Sequence, residues 1–291
     1  MTGKLWRAGH GAANGTNAAD SLGSPQKAGG VTNAAARGAK GSGGRLGYGL
    51  LGLALAFLLW QAAAARVGVS LILPGPAEVA KSFVSLAATA EFWKAVGGTF
   101  QRVLIAFAIS MIAGSVTGIL AGLSAPFHHL VAPFLTIIRA TPVMALILIL
   151  MFWFPAGHVP VVSAILMSYP VVHTSLYQGT IATDRALLEM ARIFKVPRRT
   201  VFFRLRLPAV RGDLASAAKN SLGLCWKVVV AGEVLSQPRF ALGSGMQSSR
   251  LSLDTAGVFA WAIASIALCG LSEYLLGLLA SRLKAKGCAD A

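Results

Sequence analysis

The feature that most constrains this chain is a strongly basic segment enclosed between two long apolar runs. Residues 184–213 carry eight Lys or Arg side chains. The runs on either side are long enough to cross a bilayer, which needs about 20 apolar residues. A positively charged loop between membrane spans belongs on the cytoplasmic side. The sequence therefore predicts a polytopic membrane protein with this segment in the cytoplasm.

Composition supports the membrane assignment. Hydrophobic residues make up 55% of the chain and charged residues 12%, with a mean hydropathy of +0.67, whereas soluble domains carry about 25% charged residues. The net charge is +16, yet nucleic acid is excluded as a partner because the uncharged runs are too long for a soluble core. The three Cys and five His show no metal or disulfide spacing. We predict no metal site, no cofactor and no catalytic site.

Apolar runs separated by turn residues predict six transmembrane helices. The predicted spans are 46–65, 100–123, 129–153, 159–181, 214–235 and 255–280. Residues 1–45, rich in Gly, Ala, Ser and Asn, are predicted to be a disordered basic cytoplasmic tail. Residues 46–281 then form the transmembrane domain, and 282–291 form a short cytoplasmic tail.

The distribution of basic residues predicts the orientation. The N-terminal tail, the basic loop and the C-terminal tail hold six, eight and three of the 26 Lys and Arg residues. This bias predicts that both termini are cytoplasmic. Between the first two spans, Pro76 opens a predicted helix over 77–96 that lies at the outer membrane surface.

The basic loop has a helical pattern of its own. An apolar stripe at i, i+3, i+4 and i+7 is formed by Leu187, Met190, Ala191 and Phe194. Thr183 or Asp184 is the predicted N-cap, Pro197 interrupts the helix, and a second short helix over 198–206 is predicted to close at Pro208. We expect the stripe to pack on the protein's own cytoplasmic helix ends, with a partner on the other side of the loop.

The loop resembles the EAA loop of ABC importer permeases, which runs Glu-Ala-Ala, a Gly four residues after the second Ala, and a closing hydrophobic-x-Leu-Pro. The matching residues are Glu189, Ala191, Leu205, Leu207 and Pro208. Met190 replaces the first Ala and Lys195 replaces the Gly, so we expect the turn to shift towards Val196 and Pro197. The resemblance implies that an ATPase docks on Glu189, Met190, Ala191, Lys195, Val196, Pro197 and Arg198.

Further motifs between about 73 and 274 resemble the nitrate/sulfonate/taurine branch of these permeases. They are Leu73-Pro74-Gly75-Pro76, Thr99-Phe100-Gln101-Arg102-Val103, Pro133 with Arg139 and Pro142, Trp226 with Glu233, and Leu242-Gly243-Ser244-Gly245. The resemblance implies an all-α permease of the MetI-like type, with six transmembrane helices and the EAA loop between helices four and five. It also implies a homodimer in the bacterial inner membrane, surrounded by lipids, with a separate cytoplasmic ATPase and an external substrate-binding protein.

The absence of energy-coupling chemistry agrees with that assignment. The sequence has no G-x-x-x-x-G-K-[ST] phosphate loop and no embedded carboxylate pair for proton coupling. Two other classes stay open, a proton-driven carrier or channel and a polytopic membrane enzyme. The branch resemblance implies a small oxyanion such as a sulfonate, taurine or nitrate, with a vitamin precursor such as a pyrimidine as the alternative.

Polar and charged residues inside predicted spans are candidates for the translocation path or its gating, because a charge is costly at the bilayer centre. These candidates are Arg139, Asn220, Ser221, Lys227 and Glu233. Lys227 and Glu233 are six residues apart, which places them about 120° apart and about 9 Å along a helix. They are therefore not expected to pair with each other. Pairing with other spans and lining of the path both remain open.

Overall fold

The computed structural model describes residues 42–289, and throughout that range the regular structure is helical, without a β-strand. The chain divides after Leu55 into two compact units. Of the first unit, the structure describes the start of one helix, and the packing below lies within the second unit. The predicted disordered tail falls largely on residues 1–41, outside the described residues.

The helices follow one another with short connections. They are α1 Ser42–Val67, α2 Pro76–Ala87, α3 Ala90–Leu123, α4 Ala125–Ala140, α5 Val143–Leu150, α6 Val159–Ile181, α7 Arg185–Ile193, α8 Arg198–Val201, α9 Leu207–Ala209, α10 Arg211–Ser236, α11 Leu242–Leu251 and α12 Thr255–Ala289. A π-helical turn, Phe202–Arg206, joins α8 to α9. The last helix continues beyond residue 281, where the C-terminal tail was predicted to begin.

Three of the described helices are long and apolar enough to cross a membrane, and a bent pair makes a possible fourth span. The three are α3, α6 and the Thr255–Leu279 part of α12, and the pair is α4 with α5. The helix α10, predicted as the fifth span, is not among them and carries Lys219 and Lys227. The predicted all-helical class is confirmed for the described residues, while the count of six spans stays a prediction.

The third predicted span, 129–153, is not one continuous helix. Its two halves, α4 and α5, meet at 98°. Thr141 has an extended backbone with ψ 124°, since a residue before proline is driven away from the helical region. Pro142 also lacks the N–H that would continue the hydrogen-bond ladder. Together these residues break the span.

The predicted surface helix over 77–96 is also divided. It ends as α2 at Ala87, and Thr89 then caps α3, with its Oγ1 accepting a hydrogen bond from the Phe92 N–H at 3.3 Å. This N-cap starts a new 34-residue helix that includes the predicted span 100–123. Thr89 is a polar residue of the type that caps helices, and this signal for a helix start was missed in the prediction.

Closely packed glycines join α3 to α6. Gly114, Gly118 and Gly122 recur every four residues on the face of α3 that meets α6. A Cβ on Gly118 would lie 2.5 Å from the His173 carbonyl oxygen, and one on Gly114 would lie 2.6 Å from Val172 Cβ. Such spacing of small residues lets helices in a membrane approach closely. With α10, whose Trp226 and Val229 are buried, these helices form the core that positions the sites below.

Candidate functional site

The first notable site is a buried carboxylate between α3, α10 and α11. Glu233 on α10 is 0% exposed. Its Oε1 accepts a hydrogen bond from Arg102 Nη1 at 2.9 Å, and its Oε2 accepts from Thr99 Oγ1 at 2.9 Å and from the Gly243 N–H at 3.1 Å. We call Thr99, Arg102, Glu233 and Gly243 the clamp. Its carboxylate is fully paired, as a buried charge requires.

Two side chains of the clamp, Arg102 and Thr99, also form hydrogen bonds with backbone groups near the start of α11. Arg102 also donates to the carbonyl oxygens of Phe240 at 3.2 Å and Arg239 at 3.0 Å. The Leu242 N–H donates to Thr99 Oγ1 at 2.9 Å. A Cβ on Gly243 would lie 2.6 Å from Glu233 Cβ, so only glycine fits there. Three of the sequence motifs, one of them joined to the other two across 131 or more residues of the chain, thus meet at one hydrogen-bonded network.

Part of this arrangement follows from the sequence. The spacing of six residues predicts that Glu233 and Lys227 do not pair with each other, and the Glu233 carboxylate is paired with Arg102 instead. Arg102 belongs to one of the sequence motifs, but the sequence did not predict it as a partner of Glu233. No local pattern connects positions 131 residues apart, although both lie in motifs that the resemblance had singled out.

The path candidates on α10 separate onto two faces. Asn220 and Lys227 are exposed, together with Ser216 and Lys219, and these positions repeat on one side of the helix. Ser221, by contrast, is buried like Glu233. Within the described chain, α10 therefore has a packed face that holds the clamp and an open polar face.

Arg139 lies elsewhere, near the C-terminal end of α4. Its Nη2 donates to the Pro170 carbonyl oxygen on α6 at 2.9 Å. On the same pair of helices, the ring of His128 stacks on Tyr177 with 4.1 Å between the ring centroids. The predicted candidate Arg139 thus contacts α6, while Lys227 and Glu233 lie on α10.

The basic loop forms the second site. Asp184 caps α7, accepting a hydrogen bond from the Ala186 N–H at 2.9 Å, as one of the two predicted caps. The apolar stripe on α7, however, is not buried against the protein's own helix ends as expected. Leu187, Met190 and Phe194 are 40%, 49% and 73% exposed, because α7 holds the stripe over a groove instead of over the core.

That groove is bounded by α7, α8 and the π-helical turn. Its volume is about 410 Å³, and Leu187, Met190, Ala191, Phe194, Val196, Thr200, Val201, Arg204 and Leu205 line it. Arg204 is the cationic residue among those that line it, and Arg192, Lys195 and Arg199 are exposed in the same loop. In the part of the chain that the structure describes, none of them lies within ion-pair distance of an acidic side chain. The loop therefore presents an apolar groove with a cationic border.

The turn after α7 occurs at Lys195. Its φ is +52°, its N–H donates to the Arg192 carbonyl at 3.0 Å, and the Val196 N–H donates to the Ala191 carbonyl at 2.9 Å. This is the helix-ending motif in which glycine is favoured at the left-handed residue. The expected shift of the turn towards Val196 and Pro197 was therefore wrong, because Lys195 adopts the backbone conformation of the glycine that it replaces.

The second half of the loop is more continuous than predicted. Pro208 does not close a helix at that point but lies in the first turn of α9, where its missing N–H costs no hydrogen bond. The chain then passes through Val210 into α10. The π-helical turn between α8 and α9 has no simple sequence signature, and the sequence reading missed it.

Comparison with known proteins identifies the class. Residues 114–285 match the family described as binding-protein-dependent transport system inner membrane component. A probable ABC transporter permease protein of Brucella melitensis biotype 1 is 28% identical over 227 residues, 78% of this chain and 91% of that protein. The taurine transport system permease protein of Escherichia coli is 24% identical over 225 residues, 75% of this chain and 80% of that protein.

The solved structures show a related fold. A crystal structure of an amino acid ABC transporter with histidines superposes with a TM-score of 0.54 at 19% identity, over 66% of this chain and 94% of that one. The chain therefore belongs to the family of binding-protein-dependent inner membrane transport components. It is a membrane-embedded permease subunit of an ABC importer, of the nitrate/sulfonate/taurine branch, and not an enzyme. Importers of this class pair such a permease with a separate ATPase and a substrate-binding protein.

Proposed function

We propose that this subunit forms the path by which a small oxyanion, such as taurine or another sulfonate, crosses the inner membrane. The similarity to a taurine permease and the lysines on the open face of α10 support this solute class. In the proposed assembly, two copies of the chain form the path, with both termini in the cytoplasm, ATPases on that side and a binding protein outside.

The ATPase is proposed to dock on the loop that contains α7, α8 and α9. The observation that carries this proposal is the apolar groove, which no described part of the protein covers. Exposed Leu187, Met190 and Phe194 offer apolar surface, and burial of such surface drives most protein association. Glu189 and the turn at Lys195, Val196 and Pro197 stand beside it. Arg198 begins the next helix.

The open polar face of α10 is proposed to line the solute path. Asn220 and Lys227 are exposed there, and charged side chains in membrane segments face a bundle interior or a water-filled cavity rather than lipid. A second copy that covers this face would enclose the path, which supports the homodimer. Arg139 is assigned to the same path from its exposure on α4.

For Glu233, we propose the structural role among the two that the sequence left open. Its carboxylate is enclosed and accepts three hydrogen bonds, so it holds α3, α10 and the start of α11 together. Ser221 is likewise assigned to packing, since it is 0% exposed.

Reconstitution tests the assignment. We expect liposomes that contain this chain, its ATPase and its binding protein to take up radiolabelled taurine when ATP is enclosed with the ATPase. Omission of the ATPase should abolish uptake. Uptake by this chain alone, driven by a proton gradient, would instead identify a carrier and contradict the proposal.

Labelling tests the orientation. In a variant without native cysteines, cysteines introduced at Ala156 and Arg239 should react with an impermeant maleimide from outside intact cells. A cysteine at Gly212, at the exposed end of the basic loop, should react only after permeabilisation. Reaction at residue 212 in intact cells would overturn the proposed orientation.

A further inference from the structure

Two charged side chains cross between α10 and α12, each lying over a glycine of the opposite helix. A Cβ on Gly277 of α12 would lie 3.6 Å from Nζ of Lys219 on α10. A Cβ on Gly223 of α10 would collide with Oε1 of Glu273 on α12. Gly223 therefore leaves room for the Glu273 carboxylate, and the Lys219 ammonium lies within ordinary contact distance of Gly277 at the crossing of the helices.

A second lysine lies on the same face. Gly223 is four residues from Lys219 and four from Lys227, so the Glu273 carboxylate lies about 6 Å along the axis from the level of each lysine. All three charged side chains are exposed. None of them forms an ion pair within 4.0 Å in the described chain. The face thus carries two cations for one anion and has an excess of positive charge.

We propose that this face is an anion site in the path, in which Lys219 and Lys227 bind the solute and Glu273 is the nearby counter-ion that partly compensates their charge while the site is empty. The inference rests on the proposed function, since it assumes that the face lines the path of an anionic solute. The chemical class is a small oxyanion such as a sulfonate. Asn220 and Ser216, exposed on the same face, add an amide and a hydroxyl to hydrogen-bond its oxygens.

The counter-ion explains why the carboxylate is there. Without it, the two lysines would stand uncompensated whenever the site is empty, and uncompensated charge is costly in a membrane segment. With it, the empty site keeps one compensating negative charge, and an arriving anion meets a smaller excess of positive charge than two lysines alone would present. The solute is therefore attracted without being held so tightly that it cannot leave.

A native thiol reports on this face. Cys269 Sγ, which is partly exposed, lies 3.7 Å from Glu273 Oε1. In a Cys225→Ala, Cys288→Ser background of the full complex in nanodiscs, we would measure its reaction rate with two methanethiosulfonates, one bearing a sulfonate and one a trimethylammonium group. The ratio of the two rates cancels the reactivity of the thiol itself and reports the local charge preference.

The expected ratio follows the charges. Glu273→Gln should raise the preference for the anionic reagent at least threefold, and the Lys219→Gln, Lys227→Gln double variant should lower it at least tenfold. Ethanesulfonate should slow the anionic reagent, and choline should not slow either one. Lys81→Gln, at an exposed lysine on α2, is the matched control and should leave the ratio unchanged.

Two results would overturn the anion site. One is a ratio that changes less than twofold in both the Glu273 and the lysine variants. The other is a thiol that reacts with membrane-permeant N-ethylmaleimide but with neither charged reagent, which would mean that lipid or protein covers the face. Both outcomes are separable from failure of the proposed function, because ATP-dependent uptake of taurine is measured in a different assay.

Discussion

The clamp and the α7–α9 loop differ in whether their charged side chains are buried and paired. In the clamp, the Glu233 carboxylate is 0% exposed and paired with Arg102, Thr99 and the backbone of Gly243. In the loop, apolar Met190 stands half-exposed beside cations that have no acidic partner among the described residues. The charged groups of the clamp find all their partners within the described chain, whereas the cations and apolar side chains of the loop do not.

From this difference we expect the clamp to determine the stability of the protomer and the loop to determine which partner the protomer binds. Groups that are fully satisfied inside one protomer contribute to its folding, and their loss leaves buried charge unpaired. Groups that stay open in the protomer contribute to what the protomer binds. Substitutions in the two regions should therefore fail in different assays.

The largest expected effect is in the clamp. Arg102→Ala leaves the buried Glu233 carboxylate without its cation, which costs about 3–5 kcal/mol for a buried pair. The free energy of unfolding, measured in detergent by titration with sodium dodecyl sulfate, should fall by that amount. The control Arg250→Ala, at an exposed residue of α11, should change it by less than about 0.5 kcal/mol. Equal values for both variants would mean that the clamp does not hold the fold.

The glycine contact between α3 and α6 should come second. Gly118→Ala places a Cβ against the His173 carbonyl oxygen, and such overpacking costs about 1–3 kcal/mol. Gly97→Ala makes the same change on α3 where nothing lies within 4 Å, and it should stabilise by about 0.5–1 kcal/mol. The same titration would measure both variants. Destabilisation by both would contradict the packing argument.

Substitutions in the α7–α9 loop should affect ATPase binding and leave the stability of the protein nearly unchanged. The double variant Leu187→Ala, Met190→Ala removes half-exposed side chains, so the free energy of unfolding should change by less than about 0.5 kcal/mol per site. Binding of the ATPase, measured by surface plasmon resonance on nanodiscs, should weaken about tenfold, equivalent to 1.4 kcal/mol. Leu251→Ala, exposed on α11, is the control for binding. Unchanged ATPase affinity in the double variant would remove the groove from the docking surface.

Only part of the fold could be predicted from the sequence. The apolar runs predicted a helical membrane protein, and residues 159–181 are the bounds of α6. Pro142 belongs to one of the sequence motifs, but proline is tolerated within membrane helices, so the sequence did not predict the 98° bend between α4 and α5. The spacing of apolar residues along α7 predicted the stripe but not whether it faces the core or the groove, because burial depends on elements distant in sequence.

The candidate residues show the same limit. Charge within a predicted span drew attention to Glu233, while its contacts with Thr99 and Arg102 depend on the three-dimensional packing of α3 on α10. Glu273 was passed over altogether. Its significance comes from the facing Gly223, and no spacing within one helix reveals a contact between two helices.

A smaller effect is expected at the turn of the loop. Lys195 has φ +52°, which costs a residue other than glycine about 1–2 kcal/mol. Lys195→Gly should therefore stabilise the turn locally and slow hydrogen exchange of the Val196 amide, which bonds to Ala191. At 1.4 kcal/mol per factor of ten, the slowing should be about fivefold or more. Faster exchange in the variant would show that the lysine side chain itself stabilises the turn.

The central claim, that the α7–α9 loop is where the ATPase docks, is tested most directly by charge reversal at Glu189. This carboxylate is exposed on α7 among cations, so Glu189→Lys should leave folding intact but place another positive charge at the docking surface. Glu78→Lys makes the same change at an exposed residue of α2, on the side proposed to be external.

The measurement is the amount of ATPase that co-purifies with each variant, together with ATP-dependent uptake. We expect Glu189→Lys to reach the membrane in normal amount, to lose most of its ATPase and to lose uptake, whereas Glu78→Lys should behave as the wild type does. Retention of the ATPase and wild-type uptake by Glu189→Lys would contradict the assignment of this loop as the docking element.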